Sequence, residues 1–310
     1  MKRRFLKAQQ RWLQYILIKI LLKLIALPPR KIALKIAAVF GSFAFLILKK
    51  DRNRSIDNLT RIFGKEKSQT EIQKIARDCF VHLAKNVVDA VHIPDMTSAD
   101  FDRLVTSDDL IDFDAAVKRG KGLVALTGHI GNWELMAAWF ASKGYPVSVV
   151  GRRLYDERLN KMLIELRQRS GVKNIDRDDS ARVLLRALRK GGVLGILIDQ
   201  DTKVGNVNVD FFGIPARTPV GIARLVIKIG VAVIPLGIHR QADESYHITI
   251  RPHIPAVIEE SEDESEQDAL VRLTQRFNEE LEELIRQDIA QWVWMHRRWR
   301  FDNTRQNSSE

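Results

Sequence analysis

The sequence predicts an α/β domain with a mostly parallel central sheet flanked by helices, preceded by an N-terminal apolar helical membrane anchor. Three observations predict it. From residue 121 onward, continuously apolar strand-length runs alternate with helix-length segments, the pattern of strands covered on both faces. Two long apolar runs, residues 12–27 and 32–48, precede that region. The charge is also divided along the chain. Of the 50 Lys and Arg and the 39 Asp and Glu in 310 residues, 16 basic and two acidic residues (Asp51, Asp57) fall within residues 1–65. That segment therefore carries +14 and the remainder −3, so the basic character belongs to the N-terminus alone.

The first apolar run follows Lys2, Arg3, Arg4 and Lys7. Within and just before it, Arg11, Tyr15, Lys19 and Lys23 recur every four residues. One polar stripe on an otherwise apolar helix suits a helix lying in a bilayer interface, its lysines snorkelling to the headgroups. The second run has 17 residues and one charge, Lys35. At ~1.5 Å per residue it reaches roughly 25 Å, short of a ~30 Å hydrocarbon core. It either spans a thinned bilayer or shares one tilted anchor with the first run. The competing reading is a buried helical pair of a soluble domain. A cleaved signal peptide is opposed by charges inside the first run and by the lack of a small-residue cleavage site. Basic residues around an apolar anchor indicate attraction to anionic lipid, with the flanking segments on the cytoplasmic side. They alternate with aliphatic stretches, not exposed aromatics, so nucleic acid is not an expected partner.

Residues 51–63 and 68–93 read as helices, the second opened by Ser68 with Glu71 at capping-box spacing. Strands are expected at 122–127, 146–151, 193–198, 231–238 and 246–251, and helices at 132–142, 155–170, 180–190 and 219–229. Thr218-Pro219 resembles an N-cap followed by proline at the first helical position. Residues 259–266 (EESEDESE) read as an acidic exposed linker, 269–289 as a long amphipathic helix, and 303–310 as a disordered tail. The expected organisation is an anchor over 1–50, a catalytic domain over 51–302, and the tail. A single cysteine, Cys79, excludes an internal disulfide and any cysteine-rich metal site.

The sharpest chemical feature is Thr127-Gly128-His129-Ile130-Gly131-Asn132-Trp133-Glu134, at the end of an apolar strand and running into a helix. On one regular helix His129 and Glu134 would lie ~140° apart. They can meet only if His129 precedes the helix and the chain turns at Gly131, which the two glycines permit. Glu134 would then hold one imidazole nitrogen, leaving the other to take a proton from a hydroxyl. That is base-plus-orienter chemistry for acyl transfer, without a protein nucleophile. The alternative is a histidine satisfied at a strand end and a glutamate favoured by the helix dipole.

Arg152-Arg153 follow the next strand, and Asp199-Gln200-Asp201 the one after. Ligand groups gather at the carboxyl ends of strands in such sheets. Arginine there, and a helix start at Thr218, suit an anionic substrate. His239, His247 and His253 alternate with apolar residues and read as structural or exposed, not metal-ligating. No Walker loop, G-x-G-x-x-G, H-E-x-x-H or G-x-S-x-G occurs. The C-terminal Trp292, Trp294, Arg297, Arg298, Trp299 and Arg300 either form an interfacial girdle or pack against the core.

The string TGHIGNWEL resembles the His-x-x-x-x-Glu motif of the bacterial lipid A late (lauroyl and myristoyl) acyltransferases, within the glycerolipid and lysophospholipid acyltransferase superfamily. Further blocks match in the same order: Gly151-Arg152-Arg153, Leu197-Ile198-Asp199-Gln200-Asp201, Val209-Asp210-Phe211-Phe212-Gly213, Thr218-Pro219, Val233-Ile234-Pro235 and residues 291–299. Glycerolipid enzymes usually carry Asp at the acidic motif position, so Glu134 is closer to the lipid A branch.

The resemblance implies a glycerolipid acyltransferase-like fold. It also implies transfer of a fatty acyl chain from acyl carrier protein to a hydroxyl on an acyl chain of an anionic lipid A precursor, with no metal or cofactor. The implied location is the bacterial inner membrane, with the site facing the cytoplasm. His129 is then the general base and Glu134 its partner. Arg152, Asp199, Asp201, Asn132 and Thr218 are the candidates for substrate binding.

Overall fold

The computed structural model describes residues 2–179, 181–202, 205–255 and 265–299. Ser180, Arg300, nearly all of the expected acidic linker and the tail lie outside the described residues. In chain order the first helices are α1 (Lys2–Ala26), α2 (Arg30–Ile47), α3 (Lys49–Phe63), α4 (Gln69–His92) and α5 (Ser98–Leu104). Then come β1 (Val105–Ser107), α6 (Ile111–Lys118), β2 (Leu123–Thr127), α7 (Trp133–Ser142), β3 (Val147–Gly151), α8 (Glu157–Arg169) and β4 (Lys173–Asp176). The chain continues through α9 (Ala181–Arg189), β5 (Val193–Leu197), β6 (Asn206–Phe211), β7 (Ile214–Pro219), α10 (Gly221–Ile229), β8 (Ala232–Arg240), β9 (Tyr246–Ile250) and α11 (Glu266–Gln287).

Among the described residues, seven strands form one sheet in the order β1-β9-β8-β2-β5-β3-β4, parallel everywhere except between β8 and β9. Alternate residues of the central strands feed two cores. Val124, Leu126, Leu194 and Ile196 face the side covered by α10 and α11. Leu123, Ala125, Val147, Val149 and Val193 face the side covered by α7 through Leu135, Met136, Trp139 and Phe140. This two-sided burial is why the strands read as unbroken apolar runs.

The five expected strands form within one or two residues of their expected limits, and so does the capping box. Ser68 Oγ accepts from Glu71 N at 3.3 Å while Ser68 N donates to Glu71 Oε2 at 2.8 Å. Several features were not expected, among them the short helices α5 and α6. The edge strands β1 and β4 are short and mostly polar. The hairpin β6-β7 stands apart from the main sheet. Thr218-Pro219 close β7 and do not open a helix: α10 starts at Gly221 after Val220, with no side-chain cap.

No single described helix is long and apolar enough to cross a membrane. The pair α2 and α3, bent by 89°, does so only jointly in length and composition. α2 buries Ala33, Leu34 and Ala37 with Val88 of α4. Gly41 meets the α4 backbone so closely that a Cβ would lie 2.7 Å from Phe80 O. The opposite face of α2, with Ile36, Val39, Phe40, Phe43 and Ile47, is exposed, as are Trp12, Leu13, Leu17, Ile20, Leu21 and Leu24 of α1. Part of the α1 polar stripe turns towards the protein. The Arg11 guanidinium lies 4.2 Å from the Tyr155 ring centre, and that of Arg158 lies 4.8 Å from the Tyr15 ring centre.

Candidate active site

β2 and β5 are neighbours in parallel register, with Thr127 opposite Leu197. Two residues beyond each member of that pair stand His129 and Asp199. The register therefore brings them together: His129 Nδ1 lies 2.8 Å from Asp199 Oδ1, and the His129 backbone N–H donates to Oδ2 at 2.7 Å. Trp292 Nε1 donates to the same Oδ2 at 2.8 Å. The Asp199 side chain is wholly buried. Burial opposes its ionisation, but the His129 imidazole beside it, with His296 further off, holds the carboxyl far below the usual carboxylate range. A fixed carboxylate on Nδ1 sets the tautomer and leaves Nε2 as the basic nitrogen.

The expected turn at Gly131 is present. Its φ is +52°, and a Cβ there would lie 1.8 Å from Ile238 O. Gly131 N donates to Gln291 O at 2.9 Å, and its carbonyl accepts from Asn86 Nδ2 at 2.6 Å. α7 then begins, capped by Asn132, whose Oδ1 accepts from Leu135 N at 3.2 Å. Asn132 is buried, and its amide nitrogen donates to Asn86 O.

Glu134 falls in the first turn of α7, as expected, but does not hold the imidazole. Its carboxylate takes both arms of Arg167, Nε at 2.9 Å and Nη2 at 2.5 Å. Asp199, expected to contact substrate, occupies the orienting position that the sequence assigned to Glu134. The physical reason is adjacency: strand ends two residues past one register pair meet, whereas a residue inside α7 projects across the cavity towards α8.

His129, Glu134 and Arg167 line a cavity of about 290 Å³. Its walls are apolar: Ala125, Val147, Val149, Val193, Gly195 and Leu197 from the sheet, and Met136, Ala137 and Phe140 from α7. Arg152, exposed after β3, and Arg177, just after β4, stand at the rim on the strand-end side. Asp201 is half-buried and is not among the lining residues. Thr218 is fully buried, and its hydroxyl accepts from Arg298 Nη2 at 2.7 Å and Asn278 Nδ2 at 3.1 Å. Those bonds tie the end of β7 to α11 and to the C-terminal segment.

Sequence reasoning missed several members of the site. Arg167 lies on α8, 33 residues from its partner, with no local signal. Gln200 Nε2 bridges two imidazoles, 3.2 Å from His129 Nε2 and 2.8 Å from His296 Nε2. Burial, aided by the charges of His129 and Arg54, pushes His296 down to about 4 against the pull of Asp199. Trp292, Trp294 and Trp299 are buried, which decides between the girdle and core readings in favour of the core. The tryptophan-rich block itself was the signal for Trp292.

A base fixed by a buried carboxylate at the mouth of an apolar cavity is suited to deprotonating a hydroxyl beside a fatty acyl group. Comparison with known proteins points to acyl transfer. The chain is 30% identical over 186 residues to a phosphatidylinositol mannoside acyltransferase of Mycolicibacterium smegmatis, covering 58% of this chain and 60% of that protein. It is 33% identical over 126 residues to one of Mycobacterium tuberculosis (strain CDC 1551 / Oshkosh), covering 39% of this chain and 40% of that protein. Residues 2–301, nearly the whole chain, match the family described as bacterial lipid A biosynthesis acyltransferase, and it is to that family of acyltransferases that the chain belongs.

Proposed function

We propose that this protein transfers a fatty acyl chain from acyl carrier protein to a hydroxyl on an acyl chain of an anionic lipid A precursor, forming an acyloxyacyl ester. The single observation that carries the reading is the His129–Asp199 pair, 2.8 Å apart, opening onto the apolar cavity. His129 Nε2 takes the proton of the acceptor hydroxyl while Nδ1–H stays on Asp199. The oxygen attacks the thioester carbonyl, the tetrahedral adduct collapses, the C–S bond breaks, and the imidazolium returns its proton to the departing thiolate. The Glu134–Arg167 pair forms one wall of the mouth and holds α7 to α8. Arg152 and Arg177 offer cations at the rim for phosphate groups of either substrate.

The exposed apolar faces of α1 and α2, set among the N-terminal basic residues, support attachment to the cytoplasmic face of the bacterial inner membrane, with residues 1–50 as the anchoring segment. A second reading has acyl-CoA as donor and another membrane glycolipid or lysophospholipid as acceptor; the names of the relatives above favour a glycolipid acceptor. Mass spectrometry of lipid A from cells with and without the protein tests the first reading. A difference of one acyl group supports it, and identical spectra overturn it. Assays of acyl carrier protein and CoA thioesters with purified protein separate the two donors.

A further inference from the structure

Gly195 stands in the middle of β5. Glycine weakens a strand interior and marks a bulge, a bend or the close approach of a ligand. β5 has neither bulge nor bend at this point. It pairs in unbroken register with β2 from Val193 to Leu197, and with β3 from Val193 to Gly195. Nor does Gly195 adopt a left-handed φ. A Cβ built on it would come no closer to backbone than 3.7 Å, at Ser148 O, and would press on the Val149 side chain at 3.2 Å, which must shift by a few tenths of an ångström.

Glycines nearby face a backbone clash that Gly195 does not. A Cβ on Gly122 would lie 2.5 Å from Leu188 O, and one on Gly192 2.7 Å from Ala187 O. The missing side chain of Gly195 instead faces the catalytic cavity, beside Ala125 of β2 and Val149 of β3 in the same register row. One row nearer the strand N-termini, Val147 and Val193 line the cavity below it, and Phe140 of α7 lines the same cavity. Leu197 to Val193 spans four residues, roughly 13 Å of cavity depth at ~3.3 Å each. Gly195 is at its midpoint.

We infer that Gly195 is a specificity-determining residue that sets how long an acyl chain the cavity accepts. The inference rests on the acyl-transfer reading above and adds the position that governs chain length. A chain entering at His129 runs over Gly195 to end against Val147, Val193 and Phe140. A side chain at 195 stops it at the midpoint.

The test compares full-length wild-type protein with Gly195→Ala and Gly195→Val in detergent micelles, using acyl-thioester donors of graded length. Each methylene excluded from apolar contact changes binding roughly fourfold. The ratio of kcat/KM on the longest to the shortest donor should therefore fall a few-fold in Gly195→Ala and at least about tenfold in Gly195→Val, with the shortest donor still used. An unchanged ratio in the folded variants overturns the inference. Should Gly195→Val fail to fold, Gly195→Ala decides alone. Binding of free fatty acids of graded length, measured by calorimetry, reads the cavity without catalysis. Affinity should stop rising at a shorter length in the variants, and a common plateau overturns the inference. If wild-type protein transfers from no thioester, the functional reading fails while this binding series still decides the role of Gly195.

Discussion

At His129 the decisive contact is with a carboxylate 70 residues away, not with the one five residues away. Asp199 is wholly buried, and each of its oxygens receives at least one donor, so replacing it removes the tautomer lock without opening space. Asp199→Asn should lower kcat/KM by about 10²–10⁴-fold with an unchanged circular dichroism spectrum. A rate near that of wild type would remove Asp199 from the mechanism. The Glu134–Arg167 pair predicts a different signature. Both side chains are less than one-fifth exposed, at 16% and 12%. Deleting either partner strands a charge, and a loss of roughly 2 kcal/mol is expected, between values for surface and buried pairs. The double variant Glu134→Leu/Arg167→Met should be more stable than either single one. Thermal melts of the three proteins check this, and strictly additive losses would contradict it.

Among the elements, those with one hydropathy period were legible in the sequence. β2, β3, β5 and β8 are largely apolar strand-length runs, β9 alternates apolar and polar residues, and α4 announces its start through the Ser68–Glu71 box. β1 and β4 were illegible because an edge strand buries few side chains and leaves little pattern. The same omission hid Arg177, since the strand end that delivers it was unseen. The segment after α11 carries a lesson of the opposite kind. In sequence its tryptophans suit an interfacial girdle or the core equally; Ile130 bridges to Trp292 and Gln291 receives Gly131, so the segment braces the catalytic turn. Trp292→Phe keeps an aromatic ring but loses part of the indole's buried volume along with the N–H on Asp199. It should cost about 1–3 kcal/mol in thermal stability and lower kcat more than it raises KM. A change in KM alone would show that the contact does not serve the base.

For the whole molecule, two properties follow from burial. His296 and His239 are both pushed down to about 4, first of all by burial, from an ordinary value near 6.5. The unfolded chain therefore binds more protons between pH ~6.5 and ~4. Their contribution to stability is full above that window and is lost as pH falls through it, by up to about 1.4 kcal/mol per pH unit for each group. The melting temperature should fall between pH 7 and pH 5, and less so in His239→Phe; an equal fall in both would acquit His239. The second property is the uncovered apolar face of α2. Phe40→Asp/Phe43→Asp places two charges on that face without touching its buried side, where Ala33, Leu34 and Ala37 pack. Co-sedimentation with anionic vesicles should drop at least tenfold while the thermal melt is retained. Undiminished co-sedimentation would place the contact elsewhere.

The sequence by itself determined what local order and composition control: the parallel α/β class, the turn at Gly131, the basic apolar N-terminus, and the ordered blocks that mark the acyltransferase family. Tertiary structure decided who partners whom. It gave His129 to Asp199 because β2 and β5 lie side by side in register. It gave Glu134 to Arg167 because α7 faces α8, and it buried Thr218 and Asn132. Hydropathy and turn chemistry act over a few residues and survive in a one-dimensional string. Hydrogen bonds between side chains depend on strand order and register, which are fixed only when the sheet has formed.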